Sequence, residues 1–149
     1  MTTAESITAA ARALLEAEGA GGVTMRRVAE AVGITPMAIY RHFESREALL
    51  ESLAEAGFAE LAAASRAKRG GDDAVGRIGS LLDSYLDYAF ERPRLFEYMF
   101  SAARPGARRF PDDFSARRSP TANLLYDAVH EGVARGELRD DDPWEVCLA

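Results

Sequence analysis

The chain has 149 residues, 48% of them hydrophobic and 28% charged, and a net charge of −6. That balance excludes a disordered polymer and supplies enough apolar material for a sizeable buried core. No apolar run of about 18 residues is present to span a membrane, and the single Cys147 excludes an internal disulfide.

The apolar spacing is helical nearly throughout, and no segment alternates at period two, so an all-α fold is expected. Ile7, Ala10, Ala11, Leu14 and Leu15 form the stripe of a first helix, which Gly19, Gly21 and Gly22 end. Thr24 is placed as the N-cap of a short second helix with Val28, Ala29 and Val32 on its buried side. Gly33 is placed to close that helix in a left-handed cap. Thr35-Pro36 then opens a third helix with a hydroxyl cap and a proline at the first position. Ile39, Tyr40 and Phe43 continue it at helical spacing. Ser45 caps a fourth helix, with Glu47 in its favourable first turn and a stripe of Leu50, Leu53, Ala54, Gly57, Phe58 and Leu61.

The polar run 65–73, which includes Arg69, Gly70 and Gly71, is the expected turn out of that helix. Ile78, Leu81, Leu82, Tyr85, Leu86 and Ala89 define a fifth helix. Pro93 opens a short aromatic sixth through Phe96, Met99 and Phe100. Residues 103–118 read as a loop punctuated by Pro105, Gly106 and Pro111. Ser119-Pro120 repeats the cap-plus-proline device for a seventh helix marked by Leu124, Leu125, Ala128, Val129 and Val133 and ended by Gly136. Asp142-Pro143 begins an eighth that reaches Ala149.

Between Thr24 and Phe43 two short helices flank Val32-Gly33-Ile34-Thr35. That is a helix-turn-helix layout, whose second helix can enter the major groove of a duplex. Charge follows the same division. Residues 24–46 hold Arg26, Arg27, Arg41 and Arg46 against Glu30 and Glu44, a local +2 on a chain of −6, leaving −8 elsewhere. A basic head on an acidic body suits contact with phosphates.

The run Gly33-Ile34-Thr35, three variable positions, Ile39-Tyr40-Arg41-His42-Phe43 and then Ser45-Arg46-Glu47 resembles the TetR-family signature. Thr24-Met25-Arg26-Arg27-Val28-Ala29 is similar to that family's second helix, and Arg92-Pro93 through Phe100 to the body of many members. The strong part of the resemblance covers about residues 7–53. It implies a three-helix helix-turn-helix DNA-binding domain over residues 1–48. The fourth helix would join it to a helical ligand-binding and dimerisation domain over residues 49–149. It further implies a transcriptional regulator rather than an enzyme: an effector-responsive repressor that binds a palindromic operator as a homodimer. Its partners would be operator DNA, a small and largely apolar effector, and a second copy, with no membrane involved. Relatives usually continue with two further helices that form an intersubunit bundle, so the chain is expected to be incomplete at its C-terminus.

The resemblance implies base contacts from Arg26, Thr35, Pro36, Met37, Ala38 and Arg41. Arg26 or Arg41 can fork onto guanine, and Pro36, Met37 and Ala38 offer apolar contact to thymine methyls. Half-sites with T-rich steps flanked by a G·C pair are therefore expected. Thr24, Tyr40, His42 and Arg46 match the family's phosphate contacts. Val28, Val32, Ile34, Ile39 and Phe43 are assigned to packing. Two departures from the pattern stand out: Glu5 and Ser6 stand where many relatives carry a basic residue, and Arg46 where lysine is commoner.

In the body the resemblance implies a ligand pocket, placed at Tyr85, Tyr88, Phe96, Met99, Phe100, Leu125 and Val129. Each of these aromatics also reads as ordinary core. Arg104, Arg108, Arg109, Arg117 and Arg118 read as a solvated loop partly offset by Asp112 and Asp113, or as a gate for an anionic effector. His42 and His130 are the two histidines, and His130 reads as a surface or core residue before a pocket group. Neither is accompanied by a nucleophile elbow, phosphate loop or metal spacing, so no catalysis, metal or cofactor is expected. No basic segment followed by an apolar run stands at the N-terminus, so no signal peptide and a cytoplasmic location are expected. A helical interaction module that keeps the head without binding DNA stays open at this point.

Overall fold

The computed structural model describes residues 1–68 and 70–148; Arg69, in the expected turn, and Ala149, at the end of the expected last helix, lie outside the described residues. Among the described residues the helices are α1 (Thr3–Glu18), α2 (Met25–Val32), α3 (Pro36–Ile39), α4 (Arg46–Ala67), α5 (Ala74–Glu91), α6 (Pro93–Met99), α7 (Asp112–Ser115), α8 (Pro120–Ala134) and α9 (Pro143–Leu148). None of them is long and apolar enough to cross a membrane. The chain divides into two compact units, residues 1–57 with 91–107 and residues 58–90 with 108–149.

In the first unit α1 starts with a capping box. The Thr2 hydroxyl accepts from the Glu5 N–H at 3.2 Å, and the Glu5 carboxylate accepts from the Thr2 N–H at 2.5 Å. An acid therefore stands at position 5 for a local reason. Ile7, Ala11 and Leu15 are fully buried on the expected stripe. A single 3-10 turn, Ala20–Gly22, leads into α2. Glu18 and Arg27 bridge this connection with two hydrogen bonds of 2.6 and 2.7 Å, and Arg27 also donates to the Gly22 carbonyl at 2.9 Å.

The third helix is shorter than its spacing predicts. The N–H groups of His42 and Phe43 both donate to the Ile39 carbonyl, at 2.8 and 3.0 Å, so the ladder stops there and Tyr40–His42 form a turn. In α4 the Ser45 hydroxyl accepts from the Ala48 N–H at 3.0 Å, and Leu49, Leu50, Leu53 and Ala54 are buried. Helix α6 packs on α1 and buries Leu95 and Met99. It also lies so close to α4 that a Cβ on Gly57 would meet the Met99 sulfur at 2.5 Å. Residues 91–107, far from the head in sequence, thereby complete its unit.

In the second unit the arc of α5 that is covered differs from the expected stripe. Leu82 and Leu86 are 53% and 55% exposed, whereas Ala74, Ser84 and Tyr88 are buried. Tyr88 tolerates burial because its hydroxyl donates to Glu60 at 3.1 Å, a partnership that apolar periodicity cannot rank. The expected loop 103–118 contains one helical turn, α7. Asp113 in its first turn accepts from the Arg109 N–H at 2.7 Å and from Arg118 at 2.9 Å, and an acid there suits the helix dipole. Ser119 caps α8 through the Ala122 N–H at 3.2 Å, and Asp142 accepts from the Trp144 N–H at 2.8 Å ahead of α9. Phe114, Tyr126 and Trp144 join α7, α8 and α9, with ring centroids 6.0 and 4.4 Å apart.

Two outcomes test this account. Gly33 closes α2 at φ 78° with open space around the position of a Cβ, so Gly33→Ala meets backbone strain alone. Thermal melting should show a loss of about 1–2 kcal/mol. The second concerns acid. The Thr2 backbone bond holds the Glu5 carboxyl below its ordinary 4.5, and the Arg27 bond does the same for Glu18. Depressed values stabilise the fold above that pH and lose the contribution as pH falls through the folded-state value. Melting temperature should therefore drop as the pH is lowered below about 4.5. Glu18→Gln should remove part of that drop, and an unchanged pH dependence in this variant would refute the assignment.

Candidate nucleic-acid interface

Helix α3 has four residues, and three local devices set its pose. The Thr24 hydroxyl accepts from the Arg27 N–H at 3.2 Å and so fixes the start of α2. Gly33, at φ 78° and ψ 31°, turns the chain in the left-handed region, and the Ala29 carbonyl accepts from both the Gly33 and Ile34 N–H groups, at 2.9 and 3.0 Å. The Thr35 hydroxyl accepts from the Ala38 N–H at 3.3 Å, and Pro36 occupies the first helical position, where its missing N–H is no loss.

Ile39 is the anchor, with no exposed surface. One face of so short a helix faces inward, and the rest turns out. Met37 is 72% exposed and Tyr40 50%. Thr35, Pro36, Arg41 and His42 are exposed beside them, Ala38 is half-buried, and Thr24 and Arg26 are exposed at the start of α2. Ile34 and Phe43 are half-buried flanks, and Val28 is buried, in line with their assignment to packing.

The four arginines of this segment part into two pairs. Arg26 and Arg41 are exposed and enter no ion pair among the described residues. Arg27 is held by Glu18, and that hydrogen bond, followed by the Glu18 charge, raises its pKa. Arg46, the first residue of α4, reaches back to the carbonyls of Ala20 and Val23 and stands 3.8 Å from Glu47. Its guanidinium thus ties α4 to the turn ahead of α2. Partners 23 and 26 residues away leave no local signal. The Thr2–Glu5 capping box, by contrast, had one in the spacing Thr-x-x-Glu.

The residues placed in a ligand pocket fall in different units. Phe96, Met99 and Phe100 belong to the first, where the rings of Phe96 and Phe100 lie 4.5 Å apart and Met99 is buried. Tyr85, Tyr88, Leu125 and Val129 belong to the second, with Tyr88 and Val129 buried and Tyr85 and Leu125 half-buried. Burial, partly offset by a hydrogen bond with Thr121, pushes the Tyr85 hydroxyl up. A cleft of about 370 Å³ in the second unit is lined by other residues, among them Ser65, Arg77, Leu81, Leu124 and Glu131.

The five arginines of the 104–118 region do not act as a cluster. Arg104 is buried in the first unit. In the second, Arg108 donates to the Arg118 carbonyl at 2.7 Å and lies over the Phe58 ring, Arg117 pairs with Asp127 at 2.8 Å, and Arg118 pairs with Asp113 at 2.9 Å. His130 is exposed and stacks on Tyr126 at 5.7 Å.

Residues 7–53 match the family model described as bacterial regulatory proteins, tetR family, and residues 78–149 the one described as tetracyclin repressor-like, C-terminal domain. An HTH-type transcriptional regulator of Mycobacterium tuberculosis is 27% identical over 136 residues, which are 88% of this chain and 57% of that protein. The nucleoid occlusion factor SlmA of Marinobacter nauticus is 30% identical over 138 residues, 91% of this chain and 68% of that one. Among solved structures, a protein of unknown function from Rhodococcus sp. RHA1 superposes with a TM-score of 0.80 at 25% identity, over 99% of this chain and 75% of its own. A tetR-family regulatory protein from Rhodococcus RHA1 shares the fold, with a TM-score of 0.72 at 24% identity over 99% of this chain and 79% of its own. The chain spans 57% of the length of its mycobacterial relative. Both parts of the family pattern, helix-turn-helix head and helical body, are matched in one all-helical chain, and it belongs to the TetR family of transcriptional regulators, not to a family of enzymes.

Proposed function

We propose that this regulator is a repressor that binds a palindromic operator as a homodimer and leaves it when a small, largely apolar effector binds. The observation that carries the reading is the pose of α3: Ile39 buried at its base, with Met37, Tyr40, Arg41 and His42 turned outward. In that pose Thr35, Pro36, Met37, Ala38 and Arg41, with Arg26 from α2, meet base edges. Arg26 and Arg41 are suited to guanine because no carboxylate among the described residues holds them, and Met37 offers an apolar surface to thymine methyls. Thr24, Tyr40 and His42 meet phosphates, and Arg46 adds to them only through donors left over from its two carbonyl bonds.

Residues 1–48 carry DNA binding in this reading, and residues 49–149 effector binding and dimerisation. The effector site is assigned to the second unit around Tyr85, Tyr88, Leu125 and Val129. Two heads related by a two-fold axis fit half-sites spaced by whole helical turns. Effector binding withdraws the protein by favouring a state that fits the operator less well. Such a regulator acts in the cytoplasm, where bacterial DNA lies.

Selection of random duplexes by the purified chain tests the reading. Recovered sites should carry T-rich steps flanked by a G·C pair, and log affinity should fall linearly with log salt. Arg41→Ala should cost about 1–3 kcal/mol and relax preference at one base pair. Met37→Ala should erase the thymine preference while changing stability by no more than about 0.5 kcal/mol. If no duplex is retained even at low salt, the chain is a helical interaction module with a silent head.

A further inference from the structure

Arg104 is a charged residue buried to 5% exposure, and its side chain keeps only 1% of its surface. A guanidinium in such a place persists only where partners compensate it. Its Nη1 donates to Glu51 Oε1, and Glu55 lies 3.8 Å away. The second oxygen of Glu51 is shut off from solvent and has no hydrogen-bond partner among the described residues, so that carboxylate depends on Arg104. The backbone after Arg104 is pressed against the same group, since a Cβ on Gly106 would collide with the Glu51 carboxylate. Tyr98 of α6 lies in the neighbourhood too: burial first, and the Glu51 charge second, push its hydroxyl up.

We propose that Arg104 and Glu51 are positioning residues for DNA recognition. The bond from buried Arg104 to half-buried Glu51 fixes the first turns of α4 against the turn that follows α6, and Arg46 transmits that position to the helix-turn-helix. Glu51 stands five residues beyond Arg46 on one helix, and Arg46 is bonded to the carbonyls of Ala20 and Val23. The start of α4 is therefore clamped on one side to the entrance of α2 and on the other to residues 101–107. Apolar contacts such as Gly57 against Met99 hold the helices together but permit sliding, whereas a directional bond from a buried guanidinium selects one register. Exposed pairs such as Lys68–Asp87, at 2.8 Å, select nothing comparable.

The inference rests on the DNA-binding reading above, and its test separates the two. Wild type, Arg104→Met and Gly106→Ala are compared as full chains, using the duplex that the wild type selects. Gly106→Ala leaves both charges in place and displaces only the flexible end of Glu51, so it keeps the test open should Arg104→Met fail to fold. Both variants, at temperatures where circular dichroism shows native helix, should bind about tenfold more weakly, equivalent to about 1.4 kcal/mol. Hydrogen exchange should quicken at amides of α2 and α3, which neither substitution touches. A folded Gly106→Ala that binds within about twofold of wild type, or faster exchange confined to residues 101–107, overturns the proposal. If the wild type binds no duplex, the DNA reading fails, and exchange in α2 and α3 alone decides whether the pair positions the head.

Discussion

Four residues of helix have no means of holding their own shape, because nucleation consumes the entropy of about one turn before any stabilising ladder forms. Helix α3 is such an element, and the proposed interface depends on it. Its order is imposed from both ends and from below: Gly33 supplies the left-handed residue before it, Thr35 caps it, and Ile39 is sunk in the core. The turn at Tyr40–His42 follows at once, so the proposed reading face consists of one helical turn and the bend after it. A longer helix would have buried more of itself. This one keeps Met37 and Tyr40 in water, an unfavourable disposition for an isolated apolar surface and a useful one for a surface that meets a duplex.

The basic character of the head is smaller in use than in composition. Four arginines lie between residues 24 and 46. Arg27 closes the α1–α2 connection with Glu18, and Arg46 holds carbonyls of that same connection, so both are part of the scaffold. Arg26 and Arg41 enter no ion pair among the described residues and carry the charge left for the proposed contacts. The division follows from reach. An arginine within range of a carboxylate or of turn carbonyls pairs with them, whereas Arg26 in α2 and Arg41 in the turn after α3 have no such group in range among the described residues.

Packing also joins distant residues to the compact unit that holds the head. Residues 91–107 belong with residues 1–57 because Leu95 and Met99 are buried against α1 and α4, and because Arg104 needs the carboxylates of α4. The pocket candidates between Tyr85 and Phe100 sort into two units. Tyr88 goes inward with Glu60 as its hydrogen-bond partner, and Phe90 is 82% exposed.

Local chemistry was enough to determine the helical class, most element boundaries, and the caps at Thr24, Thr35, Ser45 and Ser119, because each is written within a few neighbouring residues. The stripe of α1 and the first turns of α4 were legible for the same reason: period and burial agree when one face alone is apolar. Tertiary structure alone decided the end of α3 at Ile39, the arc of α5 that is covered, and the partners of Arg46 and Arg104. The partners of Arg46 and Arg104 lie 23 to 53 residues away, and where the chain brings distant groups together no local pattern encodes which donor will meet which acceptor.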